Sequence, residues 1–94
     1  MSDEEQAHQY PIDGVLDLHQ FSPGETREVL TEYIAECLNR GIYHLRIIHG
    51  KGIGVQREIV RSTLANHPAV LDFRHVGGSG GGWGATVVDL KSQP

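Results

Sequence analysis

The feature that most constrains the fold is a strand–helix–strand succession between residues 14 and 49. The alternating stretch GVLDLH (Gly14–His19) predicts a first strand, and YHLRIIH (Tyr43–His49) predicts a second. Between them, the tetrapeptide SPGE beginning at Ser22 has the form of a capping box with proline at the first helical position, and Gly41 marks the helix end. Strands joined through a helix normally lie parallel, with a right-handed crossover. The succession therefore predicts two parallel strands packed against a helix.

The rest of the pattern extends this unit to a small two-layer domain. A second helical pattern follows the glycine turn from Val55, and Pro68 discourages its continuation. Two more strands are predicted at Val70–His75 and Ala85–Leu90. The order βαβαββ predicts an α/β (α+β) two-layer sandwich, with two helices over a four-stranded mixed sheet. The first helix has a one-sided apolar stripe formed by Val29, Leu30, Tyr33, Ile34, Cys37 and Leu38.

Length and composition indicate one domain and exclude several classes. The chain has 94 residues. We predict a flexible acidic arm at residues 1–13, one domain at residues 14–91 and a short tail at residues 92–94. No apolar run reaches the ~20 residues needed to cross a bilayer, and the first residues show no secretion signal, so we expect a cytoplasmic protein without a membrane partner. Cys37 is the single cysteine, which excludes a disulfide framework and a cysteine-based zinc site.

Charge is distributed unevenly along the chain. The net charge is −4, but residues 1–40 hold nine acidic and two basic residues, whereas residues 41–84 hold five basic and two acidic ones. A basic surface in the second half would attract phosphates in a salt-sensitive way. The alternative is an ordinary solvated face.

The glycine turn HGKGIG (His49–Gly54) indicates an anion site of a particular kind. It lacks the length and the hydroxyl of a Walker loop, and its G-x-G-x-G spacing differs from the G-x-G-x-x-G of a dinucleotide fingerprint, so no nucleotide cofactor is predicted. Free backbone N–H groups at the helix start, the helix dipole and Lys51 still favour an anion. Alternatively, the glycines only permit a tight turn.

Asp17 and His19 predict a chemical function for the same region. They share one face of the first strand, and both predicted parallel strands end at the same sheet edge, where ligands of open α/β sheets bind. His19 should therefore lie near His49, Gly50 and Lys51. One histidine could act as general base and the other, or the lysine, as acid at a phosphodiester. A structural role, in which the polar pair holds neighbouring loops, is the alternative.

Two further features bear on binding. Arg57 and Arg61 lie four residues apart on the second helix, on one side of it. The glycine-rich stretch Gly77–Gly84 predicts a mobile loop, whose Trp83 either stacks on a base or packs on the sheet edge. No tight metal-ligand spacing is present. Mg²⁺ stays open as a cofactor because it needs few protein carboxylates when substrate phosphates supply ligands.

Three motifs in order resemble the small MutS-related (Smr) domain family. They are LDLH at 16–19, HGKG at 49–52 and GGWGATVV at 81–88, and the resemblance covers roughly residues 14–91. It implies nucleic-acid binding and, for several members, endonuclease activity on DNA or RNA. It also implies a fold likened to the C-terminal domain of a bacterial translation initiation factor. Since no ATPase region accompanies these motifs, we expect a stand-alone member. Gln20 departs from the pattern, which usually has glycine there.

The sequence thus predicts a nucleic-acid-binding endonuclease acting on DNA or RNA, with oligomeric state undetermined. The predicted catalytic residues are Asp17, His19 and His49. The predicted phosphate-binding residues are Gly50, Lys51, Gly52, Gly54, Arg57, Arg61 and Trp83. The alternative is a non-catalytic module that binds nucleic acid or a ribosome. A third hypothesis is a protein-interaction domain that uses the acidic helix face of Glu28, Glu32 and Glu36.

Overall fold

A computed structural model describes residues 11–50, 54–77 and 84–92 of the chain. The described elements follow the predicted order βαβαββ. They are β1 (Val15–Asp17), α1 (Pro23–Asn39), β2 (His44–Ile48), α2 (Val55–Ala65), β3 (Val70–Val76) and β4 (Ala85–Leu90).

The four strands form one mixed sheet in the order β1-β2-β4-β3. β1 and β2 are parallel, while β4 runs antiparallel to both β2 and β3. The predicted parallel pair and the mixed sheet are therefore confirmed. Because β4 is antiparallel, its amino end lies at the same sheet edge as the carboxyl ends of β1, β2 and β3.

The core lies between the sheet and the helices. Side chains alternate along β1 and β2, so that Leu16, Leu45 and Ile47 are buried while Asp17 and Arg46 are exposed. The predicted helix stripe supplies the opposing layer, and its buried members are Leu30, Tyr33, Ile34 and Cys37.

Tyr33 connects the first helix to the start of the sheet. It is fully buried, and its hydroxyl oxygen accepts a hydrogen bond from the Gly14 N–H at 2.8 Å. Burial is the main cause that raises the pKa of Tyr33 to about 12. A neutral phenol at this position therefore satisfies a buried backbone donor.

The first helix begins as its sequence indicates. The Ser22 N–H donates to Glu25 Oε1 at 3.3 Å, which is the reciprocal half of the capping box. The Thr26 hydroxyl donates to the Ser22 carbonyl at 3.2 Å. Gly41, with φ of +72°, follows the helix end.

The predicted bounds of three strands were wrong, and the smallest difference is at β3, which continues one residue beyond the predicted His75, to Val76. The first strand covers Val15–Asp17, not Gly14–His19, because the Asp17 carboxylate accepts the His19 N–H at 2.9 Å and turns the chain. The second strand covers His44–Ile48, one residue shorter at each end than predicted.

The chain before the sheet is described only in part. Residues 1–10 of the predicted arm lie outside the described residues. Within the described part of that arm, Ile12 packs against the core. In the part of the chain that the structure describes, no helix has the length and hydropathy of a membrane span.

Candidate functional site

The site lies at the sheet edge where the parallel strands β1 and β2 end. Asp17 pairs with Ile48 in the last register position, and the Leu18 N–H donates to the Ile48 carbonyl at 2.8 Å. His19 and Gly50 follow at once. A Cβ placed on Gly50 would lie 2.9 Å from His19 Nε2, so the imidazole rests against the Gly50 backbone. The predicted proximity of His19 to Gly50 is confirmed, whereas Lys51 lies outside the described residues.

Asp17 holds His19 by its side chain and its backbone. His19 Nδ1 lies 2.6 Å from Asp17 Oδ1, and the same oxygen accepts the His19 N–H at 2.9 Å. Both side chains remain about half exposed, at 56% for Asp17 and 46% for His19. Since a carboxylate only accepts hydrogen bonds, Nδ1 carries a proton and Nε2 is directed to Gly50. The aspartate thus fixes the tautomer and the orientation of a solvent-accessible imidazole.

His49 has a different environment. It is only 7% exposed, and its Nε2 lies 2.9 Å from the Thr86 hydroxyl oxygen. Its Nδ1 lies 3.3 Å from the Gly50 carbonyl oxygen. Burial lowers the pKa of His49, and the positive charges of neighbouring side chains act in the same direction, against the hydrogen bond to Gly50. Both ring nitrogens are therefore engaged, and the catalytic role of His49 stays a prediction.

His75 is a site residue that the sequence reasoning missed. Its Nδ1 lies 2.7 Å from the Thr86 hydroxyl oxygen, and its ring meets that of His49 edge to face, with centroids 5.8 Å apart. Burial, followed by the charges of Arg57 and Arg61, lowers the pKa of His75. Register explains the contact, since His75 and Thr86 pair across β3 and β4 on the helix side of the sheet.

The backbone of Gly84 connects β4 to the glycine turn. Its carbonyl oxygen accepts the N–H groups of His49 and Gly50 at 3.1 and 3.0 Å. A Cβ on Gly84 would lie 2.2 Å from the Gly50 carbonyl oxygen, closer than any side chain tolerates. The glycine before the final strand is therefore required for backbone contact, a reason that the motif alone does not reveal.

Gln56 was also missed by the sequence reasoning. Its Nε2 lies 2.9 Å from the Phe21 carbonyl oxygen and 3.2 Å from that of Leu18. Each of these carbonyls belongs to the segment that carries His19 into the first helix. The side chain amide therefore ties the start of α2 to this segment and limits the movement of His19 relative to the second helix.

Two open cavities flank these residues. One of about 460 Å³ is lined by His75 and Gly77. The other, of about 270 Å³, is lined by Phe21 and Pro23. The residues common to both linings are His49, Gly50 and Arg57. A substrate that passes from one cavity to the other would contact the glycine turn and one guanidinium.

The predicted phosphate-binding residues are only partly brought together. Gly54 caps α2 in the left-handed region, with φ of +89°, and Arg57 lines both cavities. Arg61 lies one turn further along α2, paired with the Glu58 carboxylate. The remaining three, Lys51, Gly52 and Trp83, lie outside the described residues.

Gln20 replaces the usual motif glycine without backbone strain. Among the described residues, every positive φ belongs to a glycine, so Gln20 adopts an ordinary conformation. A left-handed conformation is therefore not needed at this position. Among the described residues, no group of three or more His, Cys, Asp or Glu side chains is arranged to hold a metal ion.

Comparison with known proteins supports the motif assignment. A sequence model of the Smr domain matches residues 16–91. The chain is similar to the Endonuclease MutS2 of Shouchella clausii, with 40% identity over 76 residues, which is 81% of this chain and 10% of that protein. The Endonuclease MutS2 of Brevibacillus brevis is 36% identical over the same share of each chain. The match thus spans about a tenth of the length of these relatives.

Solved structures agree with the sequence comparison. The Smr domain of Thermus thermophilus MutS2 superimposes with a TM-score of 0.74 at 30% identity, over 87% of this chain and 100% of that one. YdaL, a stand-alone small MutS-related protein from Escherichia coli, gives a TM-score of 0.75 at 27% identity, over 93% and 71%. The residues that the Smr model matches, 16–91, include both histidine motifs. This chain belongs to the Smr domain family.

Proposed function

We propose that this protein binds DNA or RNA and hydrolyses internal phosphodiester bonds at the edge where β1 and β2 end. The observation that carries the proposal is the contact of the Asp17-oriented His19 imidazole with Gly50, beside Arg57 and two open cavities. An imidazole of fixed tautomer, a cation and helix-start N–H groups are the parts that proton transfer at a phosphate requires. The endonuclease relatives support the same chemistry.

Binding is proposed to follow the α2 start. Arg57 faces the cavities, whereas Arg61 is paired with Glu58 and contributes less. The acidic net charge makes this local cation important, because non-specific attraction of the whole protein for a polyanion is weak.

A cleavage assay tests the catalytic part of this proposal. Supercoiled plasmid and single-stranded RNA are incubated with the unaltered protein, with and without chelator, and with His19→Ala. We expect cleavage of at least one polymer and a loss of about 10²–10⁴-fold in His19→Ala, the usual contribution of a proton-transfer group. His44→Ala is the matched control, since this histidine lies at the other end of β2 with its side chain 85% exposed. Equal cleavage by His19→Ala would contradict the proposal.

A salt titration of binding tests the phosphate contact. Arg57→Ala should reduce the slope of log K against log salt by about 1, the change expected for one lost phosphate contact. Arg27→Ala, on the exposed surface of α1, should leave the slope unchanged.

A non-catalytic binding module is the second candidate. One observation favours it, namely that both ring nitrogens of His49 are engaged within the protein. Binding by the unaltered protein without cleavage of any polymer, with or without Mg²⁺, would select this module.

A further inference from the structure

The hydroxyl of Thr86 lies between two histidines and links a ring nitrogen of one to a ring nitrogen of the other. Thr86 is fully buried, with its oxygen 2.9 Å from His49 Nε2 and 2.7 Å from His75 Nδ1. A hydroxyl donates one hydrogen bond and can accept two, so at most one of the two rings takes its hydrogen. The direction of these hydrogen bonds decides which nitrogen of each imidazole carries the lone pair.

The Gly50 carbonyl sets the direction. A carbonyl oxygen only accepts, so His49 Nδ1, at 3.3 Å from it, carries the proton. In the neutral ring His49 Nε2 is then the acceptor, and it takes the hydrogen of the Thr86 hydroxyl. Thr86 oxygen in turn accepts from His75 Nδ1–H. If the hydrogen bonds ran in the opposite direction, the lone pair of His49 Nδ1 would face the Gly50 carbonyl oxygen, which cannot donate.

A doubly protonated His49 would also satisfy the Gly50 carbonyl, but burial opposes it. The ring is 7% exposed, and burial is the main cause that lowers its pKa. The neutral ring is therefore the dominant form at neutral pH, and its two nitrogens are fully used inside the protein.

His75 keeps one ring nitrogen for the solvent side. With Nδ1 donating to Thr86, the lone pair lies on Nε2, and the exposed ring lines the cavity of about 460 Å³ together with Arg57. From this geometry we infer that His75 is the catalytic proton acceptor of the site, and that His49 is a positioning residue acting through Thr86. The inference rests on the proposed phosphodiesterase function and reassigns the base within it.

Hydrolysis at this site then requires one displacement at phosphorus. The oxygen of an attacking water forms a bond to phosphorus, and its proton passes to His75 Nε2. The bond between phosphorus and the leaving oxygen breaks, and that oxygen takes a proton from solvent by way of His19. Arg57, on the same cavity wall, pairs with the phosphate charge.

Four charged or titratable side chains act on His75 from the elements around it: His49 just after β2, and Arg57, Glu58 and Arg61 on α2. The two arginines favour the neutral ring, whereas Glu58 opposes them. A base must be neutral to act, and the pKa of His75 is lowered. The rate should therefore be full at neutral pH and fall with acid, with a midpoint below 6.5.

Kinetics of three variants test the inference. His75→Gln should lower kcat/KM by about 10²–10⁴-fold and abolish the acidic limb of the pH profile. His49→Gln keeps an oxygen that accepts the Thr86 hydroxyl, and should lose far less activity while keeping that limb. His67→Gln is the control, because this histidine lies in the turn before β3, away from the site.

Long-range proton–nitrogen NMR of the histidine rings provides a readout independent of cleavage. In the unaltered protein we expect both His49 and His75 in the Nδ1–H form. A proton on His49 Nε2 would overturn the inference, even if His49→Gln fails to fold.

The outcomes separate the two proposals. A His75→Gln variant with the unaltered rate and acidic limb, beside an inactive His19→Ala, would overturn the inference alone. Absence of cleavage by the unaltered protein would remove the endonuclease proposal and this inference together.

Discussion

The histidines of the two motifs end neighbouring parallel strands, yet the protein holds them in opposite ways. His19 is half exposed and fixed by a carboxylate two residues earlier, so its restraint is local. His49 is buried and fixed by a carbonyl and by a hydroxyl from another strand, so its restraint depends on the whole sheet. The same residue type, at equivalent ends of adjacent strands, therefore serves two purposes.

Because of this difference, the contacts of the two histidines should contribute differently to the free energy of unfolding. Exposed pairs such as Asp17–His19 contribute little to folding because water competes for both partners. Buried groups such as His49 cost free energy when their partner is removed. Mutations on the His49 side should therefore affect stability, and those on the His19 side should affect chemistry.

The largest effect is expected at Gly84. In Gly84→Ala the new methyl group would lie 2.2 Å from the Gly50 carbonyl oxygen, so the contact between β4 and the glycine turn must open. The loss of stability should reach about 3 kcal/mol or more, at the upper end of overpacking costs. Urea unfolding followed by circular dichroism measures it.

Gly24→Ala is the matched control for this prediction. A Cβ at Gly24, in the first turn of α1, meets nothing within 4 Å. The free energy of unfolding should stay equal or rise by up to about 1 kcal/mol, because alanine favours a helix more than glycine does. Similar losses of unfolding free energy in both variants would show that the contact between Gly84 and Gly50 does not stabilise the part of the site around His49.

The sequence correctly predicted the parts of the site that depend on the parallel strands β1 and β2. The strand–helix–strand pattern predicted that β1 and β2 end at one edge, and so it correctly placed His19 beside the glycine turn. The apolar stripe of α1 and the alternation around β1 supply half of the buried hydrophobic cluster, namely Leu16, Leu18, Leu30, Tyr33, Ile34 and Cys37. These features repeat with a regular period along the chain.

His75, Thr86 and Gln56 depend on contacts without such a period. His75 and Thr86 become neighbours only through the register of β3 with β4, and sequence does not set that register before the intervening loop is known. If β3 had been paired antiparallel with β4, and β4 had been placed beside β2, the sequence would have predicted that β3 also ends at the edge of the sheet that carries the site. Gln56 resembles any polar residue of a helix start until the carbonyls it binds are placed.

An intermediate effect is expected from the hydroxyl between the two histidines. Thr86→Val keeps the shape of the side chain but leaves His49 Nε2 without its donor in a buried position. The cost should be about 1–3 kcal/mol in free energy of unfolding, the range for an unsatisfied buried polar group. Thr86→Ser retains the hydroxyl and should lose less. Chemical denaturation of the two variants side by side measures the difference, and equal stability would show that the hydroxyl does not hold His49.

The smallest effect on stability is expected at Asp17, and this variant separates the two histidines most directly. Asp17→Asn removes the charge that faces His19 Nδ1 but keeps an oxygen able to accept its proton. Because both side chains are about half exposed, the free energy of unfolding should fall by less than about 1 kcal/mol. Cleavage should nevertheless fall clearly, since the carboxylate no longer stabilises a positive charge on the imidazole. Asp89→Asn is the matched control, because Asp89 holds His44 by an equivalent contact of 2.6 Å at the other end of β2. If Asp17→Asn lost stability without losing cleavage, Asp17 and His19 would be structural, and the opposition between the two histidines would not hold.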